Sequence, residues 1–167
     1  MGKDKTPATA AIRLLRQQRV DFEVHAYDYE PRGGTRHSAQ VLGVDEHAVI
    51  KTLVMQDEEG RPLVVLMHGD REVSTKALAR HLGTKAVRPC EPAVAQRHSG
   101  YQVGGTSPFG TRKTMPIYME ASIPSLPRIW INGGKRGLLV SLDPAELRRV
   151  LDPTPVQVAI ARGDAGG

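Results

Sequence analysis

Lys51 stands inside the apolar run Val49-Ile50-Lys51-Thr52-Leu53-Val54-Met55, where a cationic head needs either a path to solvent or an anionic partner. Two glycine-rich stretches accompany it. In Gly104-Gly105-Thr106-Ser107-Pro108-Phe109-Gly110 the glycines let backbone N–H groups approach a ligand closely, and Gly133-Gly134-Lys135-Arg136-Gly137 adds two positive charges to a similar backbone. Singly, these read as one snorkelling lysine and two hairpin turns. Together they describe a pocket of N–H donors and a fixed cation, able to hold an ester carbonyl and phosphates and to stabilise an oxyanion. No side-chain nucleophile comes with them, so the attacking group would be water or part of the substrate.

Other chemistries are absent from the sequence. There is no G-x-G-x-x-G, and the stretch 105–111 fails the P-loop pattern because lysine does not follow its second glycine. Two residues separate Ser107 from Gly110, so the stretch is not a nucleophile elbow. The six histidines show no metal-ligand spacing, and the single cysteine, Cys90, excludes an intramolecular disulfide and a multi-cysteine metal site. Cys90 itself reads as a semi-buried structural thiol. We expect no metal and no organic cofactor.

The elements that must position these residues can be read from periodicity and punctuation. Thr6-Pro7 offers an N-cap and a first-turn proline to a helix with Ala8, Ile12 and Leu15 inward. Alternation over 21–27 predicts a half-buried strand, 31–34 a turn or loop, and 38–42 a short helix stopped by Gly43. The runs 49–55 and 63–67, joined by a charged loop, read as a hairpin. Helices follow over 74–82, stopped by Gly83, and 91–97, with a brief strand over 86–88 between them. Strands are expected at 115–119, 128–131 and 138–142, and a last one over 156–160. Asp143-Pro144-Ala145-Glu146 supplies an N-cap, a first-turn proline and a capping-box glutamate for a helix ending at Asp152-Pro153. The irregular interleaving predicts an α/β (α+β) fold with a mixed sheet flanked by short helices, one domain over 1–167 with a frayed tail beginning at Arg162.

Composition agrees. The chain has 167 residues, of which 40% are apolar and 25% charged, as in soluble globular proteins. No apolar run approaches the ~20 residues of a membrane span, and no secretory h-region opens the chain, so a cytoplasmic location is expected, with no membrane partner. Twenty-three Lys and Arg against 18 Asp and Glu give a net charge of +5, which favours polyanionic partners without requiring them. Four tyrosines, two phenylalanines and one tryptophan are a poor supply of stacking platforms, so a bound nucleic acid would be held through phosphates and shape. These residues alone leave three classes open: an ester-cleaving enzyme acting on charged tRNA, a non-catalytic module binding tRNA, a nucleotide or a synthetase, and a small aminoacyl-ester hydrolase.

Four strings carry a resemblance over nearly the whole chain: 49–54, Val94-Ala95-Gln96-Arg97, Gly100-Tyr101-Gln102-Val103 continuing through Gly110, and Ile131-Asn132 continuing through Gly137. In order and spacing the sequence resembles the YbaK family, related to the editing domain inserted in bacterial prolyl-tRNA synthetases. The resemblance implies a mixed, partly closed sheet and hydrolytic clearance in trans of mischarged aminoacyl-tRNA, above all tRNA(Pro) carrying cysteine or alanine. It implies aminoacyl-tRNA as a transient partner, prolyl-tRNA synthetase as a second, and no DNA. Lys51 matches the family's functional lysine, which anchors the terminal adenosine and its phosphate. Gly104 and Gly105 match the loop that approaches the ester, Gly133 and Gly134 the second loop, and Tyr27 a pocket residue. Thr52, Thr106, Ser107 and Lys135 stand within the same matched strings as expected substrate contacts. The chain departs from the cysteine-clearing pattern at Leu138-Leu139-Val140, where an acidic residue is usual, and at 33–37, where an aromatic is usual.

Overall fold

The computed structural model describes residues 7–163. Among the described residues, ten strands form an eight-stranded mixed sheet and a separate two-stranded one, accompanied by five α-helices. The predicted hairpin is present: β2 (Val49–Asp57) and β3 (Pro62–His68) pair antiparallel from Ile50 opposite His68 to Gln56 opposite Pro62. The Asp57 carboxylate closes its loop by accepting the N–H groups of Glu59 and Arg61. β7 (Ile129–Lys135) lies parallel to β2 and antiparallel to β8 (Leu138–Leu142), which pairs with β1 (Phe22–Ala26). On the other side, β3 runs parallel to β6 (Ile117–Glu120), and β6 to β9 (Thr154–Val156). β5 (Val87–Pro89) pairs with the far end of β2.

Strand alternation places a core on each face. Ile50, Val54, Val64, Leu66, Ile131 and Val140 join one cluster with Ile12 and Leu15 of helix α1 (Ala10–Gln17) and Leu147 of α5 (Ala145–Leu151). Met55, Val65 and Met67 face the other way, onto Leu78 of α3 (Thr75–Leu82). A small third cluster joins Ala39 of α2 (Gly34–Leu42) to Val49 and Leu139. The fourth helix, α4, spans Pro92–Ser99.

Several expectations are corrected. α1 is capped by Thr9, whose hydroxyl accepts the Ile12 N–H, so Pro7 and Ala8 precede the helix; Thr6 lies outside the described residues. The same hydroxyl donates to the Gly133 carbonyl, so the second glycine loop draws the cap to Thr9. α2 begins at Gly34 rather than Ser38, because Gly33 supplies no side-chain cap that would mark the start. β7 continues through Gly133 and Gly134 to Lys135, with a register shift after Asn132. The α5 cap is partly as expected: Asp143 accepts the Ala145 N–H, but Glu146 holds Arg149 instead of completing a capping box. The expected strand over 156–160 is two strands in two sheets. The Glu120 carboxylate accepts the N–H groups of Val158 and Ala159, bending the chain out of β9 and into β10 (Ala159–Ala161), which pairs with the unforeseen β4 (Arg71–Val73). Arg162 is not frayed: its guanidinium is held by the Glu46 carboxylate and the Gly69 carbonyl. Residues 164–167 lie outside the described residues.

Candidate active site

A cavity of about 670 Å³ opens where the sheet is interrupted. β7 pairs with β2 only at Val49 and Ile50, and β5 only at Met55 to Asp57, with the Cys90 N–H reaching back to the Val54 carbonyl. Neither reaches Thr52. The direction of its peptide groups follows from the register. Val54 sits opposite Val64, yet the Val54 carbonyl bonds Cys90 and the Val64 N–H bonds Pro116, so this pair does not bond itself. Pairs two residues along share that geometry, so Thr52 also turns its N–H and C=O away from β3 and into the slot. The Thr52 hydroxyl is buried without a hydrogen-bond partner. One residue therefore offers a peptide donor, a peptide acceptor and an orphaned hydroxyl at the cavity wall.

Lys51 follows on the opposite face of β2 and also lines the cavity. Its ammonium donates to the Arg71 carbonyl of β4. Burial pulls its pKa down, opposed chiefly by Glu72, with Arg162 lowering it further and Glu46 and Asp70 raising it. The ammonium is thus held by a backbone carbonyl, in a setting where the Glu72, Glu46 and Asp70 carboxylates favour its charge.

The two glycine loops meet beside the slot. Asn132 donates from Nδ2 to the Gly104 carbonyl at 3.2 Å, and its Oδ1 accepts the Gly134 and Lys135 N–H groups at 2.7 and 3.1 Å. A Cβ on Gly105 would lie 2.8 Å from the Arg136 backbone nitrogen, so only glycine lets the loops touch. Arg136 donates to the Val103 carbonyl and stacks over the Tyr29 ring, its guanidinium 5.1 Å from the centroid.

The sequence-derived residues separate into two groups. Tyr27, Lys51, Thr52, Gly104 and Thr106 line the cavity. Gly105, Ser107, Gly133, Gly134 and Lys135 do not. Ser107 is fully buried, its hydroxyl accepting the Phe109 N–H, and Gly133 packs beneath Leu138 and Val140. Lys135 is exposed beside the cavity. These five shape the loops around the cavity instead of facing into it. Cys90, read as structural, forms part of the wall; burial raises its thiol pKa and keeps it protonated at neutral pH. Sequence reasoning missed Asn132, whose role depends on a loop 28 residues away, and Tyr29, which follows the first strand and lines the cavity. Leu139 lines the cavity just after the second loop, where the cysteine-clearing pattern has its acid.

No histidine activates a hydroxyl or thiol at this wall. His37, the histidine that lines it, is held by the Asp28 carbonyl and Glu30. The arrangement binds and polarises; it does not attack.

The model of the aminoacyl-tRNA editing domain family matches residues 30–150, which contain the slot and both glycine loops. The chain belongs to that family. This editing domain is 30% identical over 146 residues to EbsC of Enterococcus faecalis, a candidate Cys-tRNA(Pro)/Cys-tRNA(Cys) deacylase, covering 86% of this chain and 89% of the relative. It is 31% identical over 126 residues to the proline–tRNA ligase of Moorella thermoacetica, covering 75% of this chain but 21% of the ligase. A solved structure described as a candidate trans-editing enzyme for prolyl-tRNA synthetase shares the fold, with a TM-score of 0.80, 20% identity and 93% and 100% of the two chains covered. No helix among the described residues is long and apolar enough to cross a membrane.

Proposed function

We propose that the cavity takes the aminoacylated 3′ end of a mischarged tRNA, with tRNA(Pro) carrying cysteine or alanine as the leading substrates, and hydrolyses the ester. The slot at Thr52 carries the reading. It brings a peptide N–H, a peptide C=O and a hydroxyl onto the wall of a cavity that Lys51 and Gly104 also line, with no activated nucleophile among the lining residues. Such a wall holds an ester in place and stabilises the charge that develops on its carbonyl oxygen.

Water, or a nucleophile carried by the substrate, adds to the ester carbonyl carbon, and the bond to the ribose oxygen breaks. With water attacking, its hydroxyl stays on the carbonyl carbon and its second proton goes to the ribose oxygen, releasing free amino acid and intact tRNA. Lys51 anchors the terminal nucleotide. Prolyl-tRNA synthetase is the partner this reading supplies for selecting the tRNA.

The test is deacylation of tRNA(Pro) charged with cysteine, alanine, serine or proline, by the wild type and Lys51→Ala. The expected result is selective loss of a non-proline amino acid, slowed ~10²-fold or more in Lys51→Ala. No turnover on any of the four, with tRNA binding intact, overturns the deacylase and leaves a binding module.

A further inference from the structure

Charge is unevenly placed around the cavity. From Pro92 to Leu142 the cations are Arg97, Arg112, Lys113, Arg128, Lys135 and Arg136, and Glu120 is the one carboxylate. Glu120 is buried and committed to the Val158 and Ala159 N–H groups, and Arg128 faces Glu23. The others have no carboxylate partner among the described residues.

Three of them meet at the C-terminal end of α4. The Arg112 N–H donates to the Ser99 carbonyl and the Lys113 N–H to the His98 carbonyl, which folds the 111–113 turn back against the helix end. The Arg112 stem lies over Gly100, where an added Cβ would sit 3.5 Å from the Arg112 Cβ. Burial depresses the His98 pKa, and Lys113 and then Arg97 depress it further, with no carboxylate opposing them. Arg97, Arg112 and Lys113 are all exposed. Glu91, the nearest acid along the chain, lies at the other end of the helix. Like charges gathered at a helix C-terminus are at home with its dipole, but no carboxylate among the described residues answers their mutual repulsion.

None of the three lines the cavity, but α4 and the chain that leaves it both do. Pro92 and Ala95 at the start of α4 line the wall, and the chain leaving its end supplies Val103, Gly104 and Thr106 at the mouth. Val103 is 48% exposed, an apolar side chain left open on the cavity wall, and its carbonyl holds the Arg136 guanidinium. If, as proposed above, the cavity takes the 3′-terminal aminoacyl nucleotide, the strand leading to it must cross this rim.

We propose that Arg97, Arg112 and Lys113 form a phosphate-binding step that receives the backbone of the tRNA acceptor strand upstream of the nucleotide in the cavity. The partner is recognised by its closely spaced phosphates, without base reading, since the cluster holds no aromatic side chain. Other exposed cations, Lys76, Arg80 and Lys85, lie on or just after α3, a helix that contributes no residue to the cavity wall, and serve as the comparison.

The experiment compares the full chain with Arg97→Ala/Arg112→Ala/Lys113→Ala and with a charge-matched Lys76→Ala/Arg80→Ala/Lys85→Ala control. Affinity for uncharged tRNA(Pro) is read by fluorescence anisotropy at several salt concentrations, and KM and kcat are read on the charged tRNA; circular dichroism checks folding. Three lost phosphate contacts should reduce the slope of log K against log salt by about 2 to 3. They should raise KM by on the order of tenfold while kcat stays within about twofold. The control should change neither. A slope and KM like the wild type's, an equal loss in the control, or a fall in kcat at constant KM each overturns the proposal. Because uncharged tRNA reports on the step without turnover, failure of the deacylase reading is seen separately, as a wild type that binds tRNA and cleaves nothing.

Discussion

Asn132 and Gly104 hold the two glycine loops together. The carboxamide Nδ2 of Asn132 lies 3.2 Å from the Gly104 carbonyl oxygen, while its Oδ1 accepts two N–H groups of its own loop. One side chain thus sets the height of one loop against the other, and with it the width of the cavity mouth. Asn132→Ala should cost about 1–3 kcal/mol of stability, from the donors left unpaired. It should lower kcat/KM by about tenfold or more, because a wall misplaced by an ångström loses its grip on the transition state. Urea unfolding and single-turnover deacylation read the two effects; a stability loss without any kinetic one would sink the loop-tying role.

Gly104 and Gly134 both have positive φ, +90° and +99°, and a Cβ on either meets an aromatic ring. The rings differ in freedom. Gly134 abuts Tyr101, a buried side chain whose hydroxyl donates to the Phe109 carbonyl, and burial pushes its pKa up to about 12. Gly104 abuts Tyr29, which is only half-buried on the cavity wall. Gly134→Ala should therefore destabilise by about 1–3 kcal/mol, strain and displaced ring together. Gly104→Ala should cost less stability but shift Tyr29 and slow turnover more. Thermal melts beside rates on the two variants check that ordering.

Local chemistry made some of this legible from residue types alone. The β-branched runs on both sides of the 57–62 loop announce the hairpin, and Ser74 with Gly83 announces both ends of α3. Lys51 stood out because an ammonium in an apolar strand needs a reason. What stayed hidden depends on partners far along the chain. Nothing near Thr52 says that β7 stops at Ile50 and β5 starts at Met55, so the slot could not be foreseen. Arg162 looked like tail because its partner, Glu46, is 116 residues away. Ser107, Gly133 and Gly134 belong to the two loops beside the cavity but do not line it, because spacing does not tell which side of a loop faces a cavity.

Thr52 combines a cost in the free protein with a use in the complex. Its hydroxyl is buried and unpartnered, which is unfavourable unless a ligand supplies the missing bond. Thr52→Val keeps the shape and removes the hydroxyl. The variant should be more stable by about 1 kcal/mol, yet slower on aminoacyl-tRNA. Opposite signs in denaturant midpoint and kcat/KM are the expected signature. Equal or lower stability would mean that the hydroxyl is already satisfied in the free protein.

His68 gives the protein an acid limit. It is 1% exposed and stacked on His47, ring centroids 3.7 Å apart at 6°. Its Nδ1 faces the His47 carbonyl at 2.7 Å, which can only accept, so Nδ1 carries the proton. The other nitrogen, 2.7 Å from the Ser122 hydroxyl, then accepts in the neutral ring. Burial pulls the His68 pKa below 6.5; the bond to the His47 carbonyl, Asp70 and Glu120 oppose this, and the His47 ring reinforces it. In the unfolded chain the ring binds a proton more readily, so stability is full above pH 6.5. It is lost as pH falls from there through the depressed folded value, with a slope of at most about 1.4 kcal/mol per pH unit from this one group. His25 and His98, also shifted down, add to the loss in the same direction. Unfolding free energies measured from pH 8 to pH 5 should therefore fall more steeply in the wild type than in His68→Gln, which cannot titrate. Parallel profiles would mean that the buried ring takes up its proton as easily folded as unfolded.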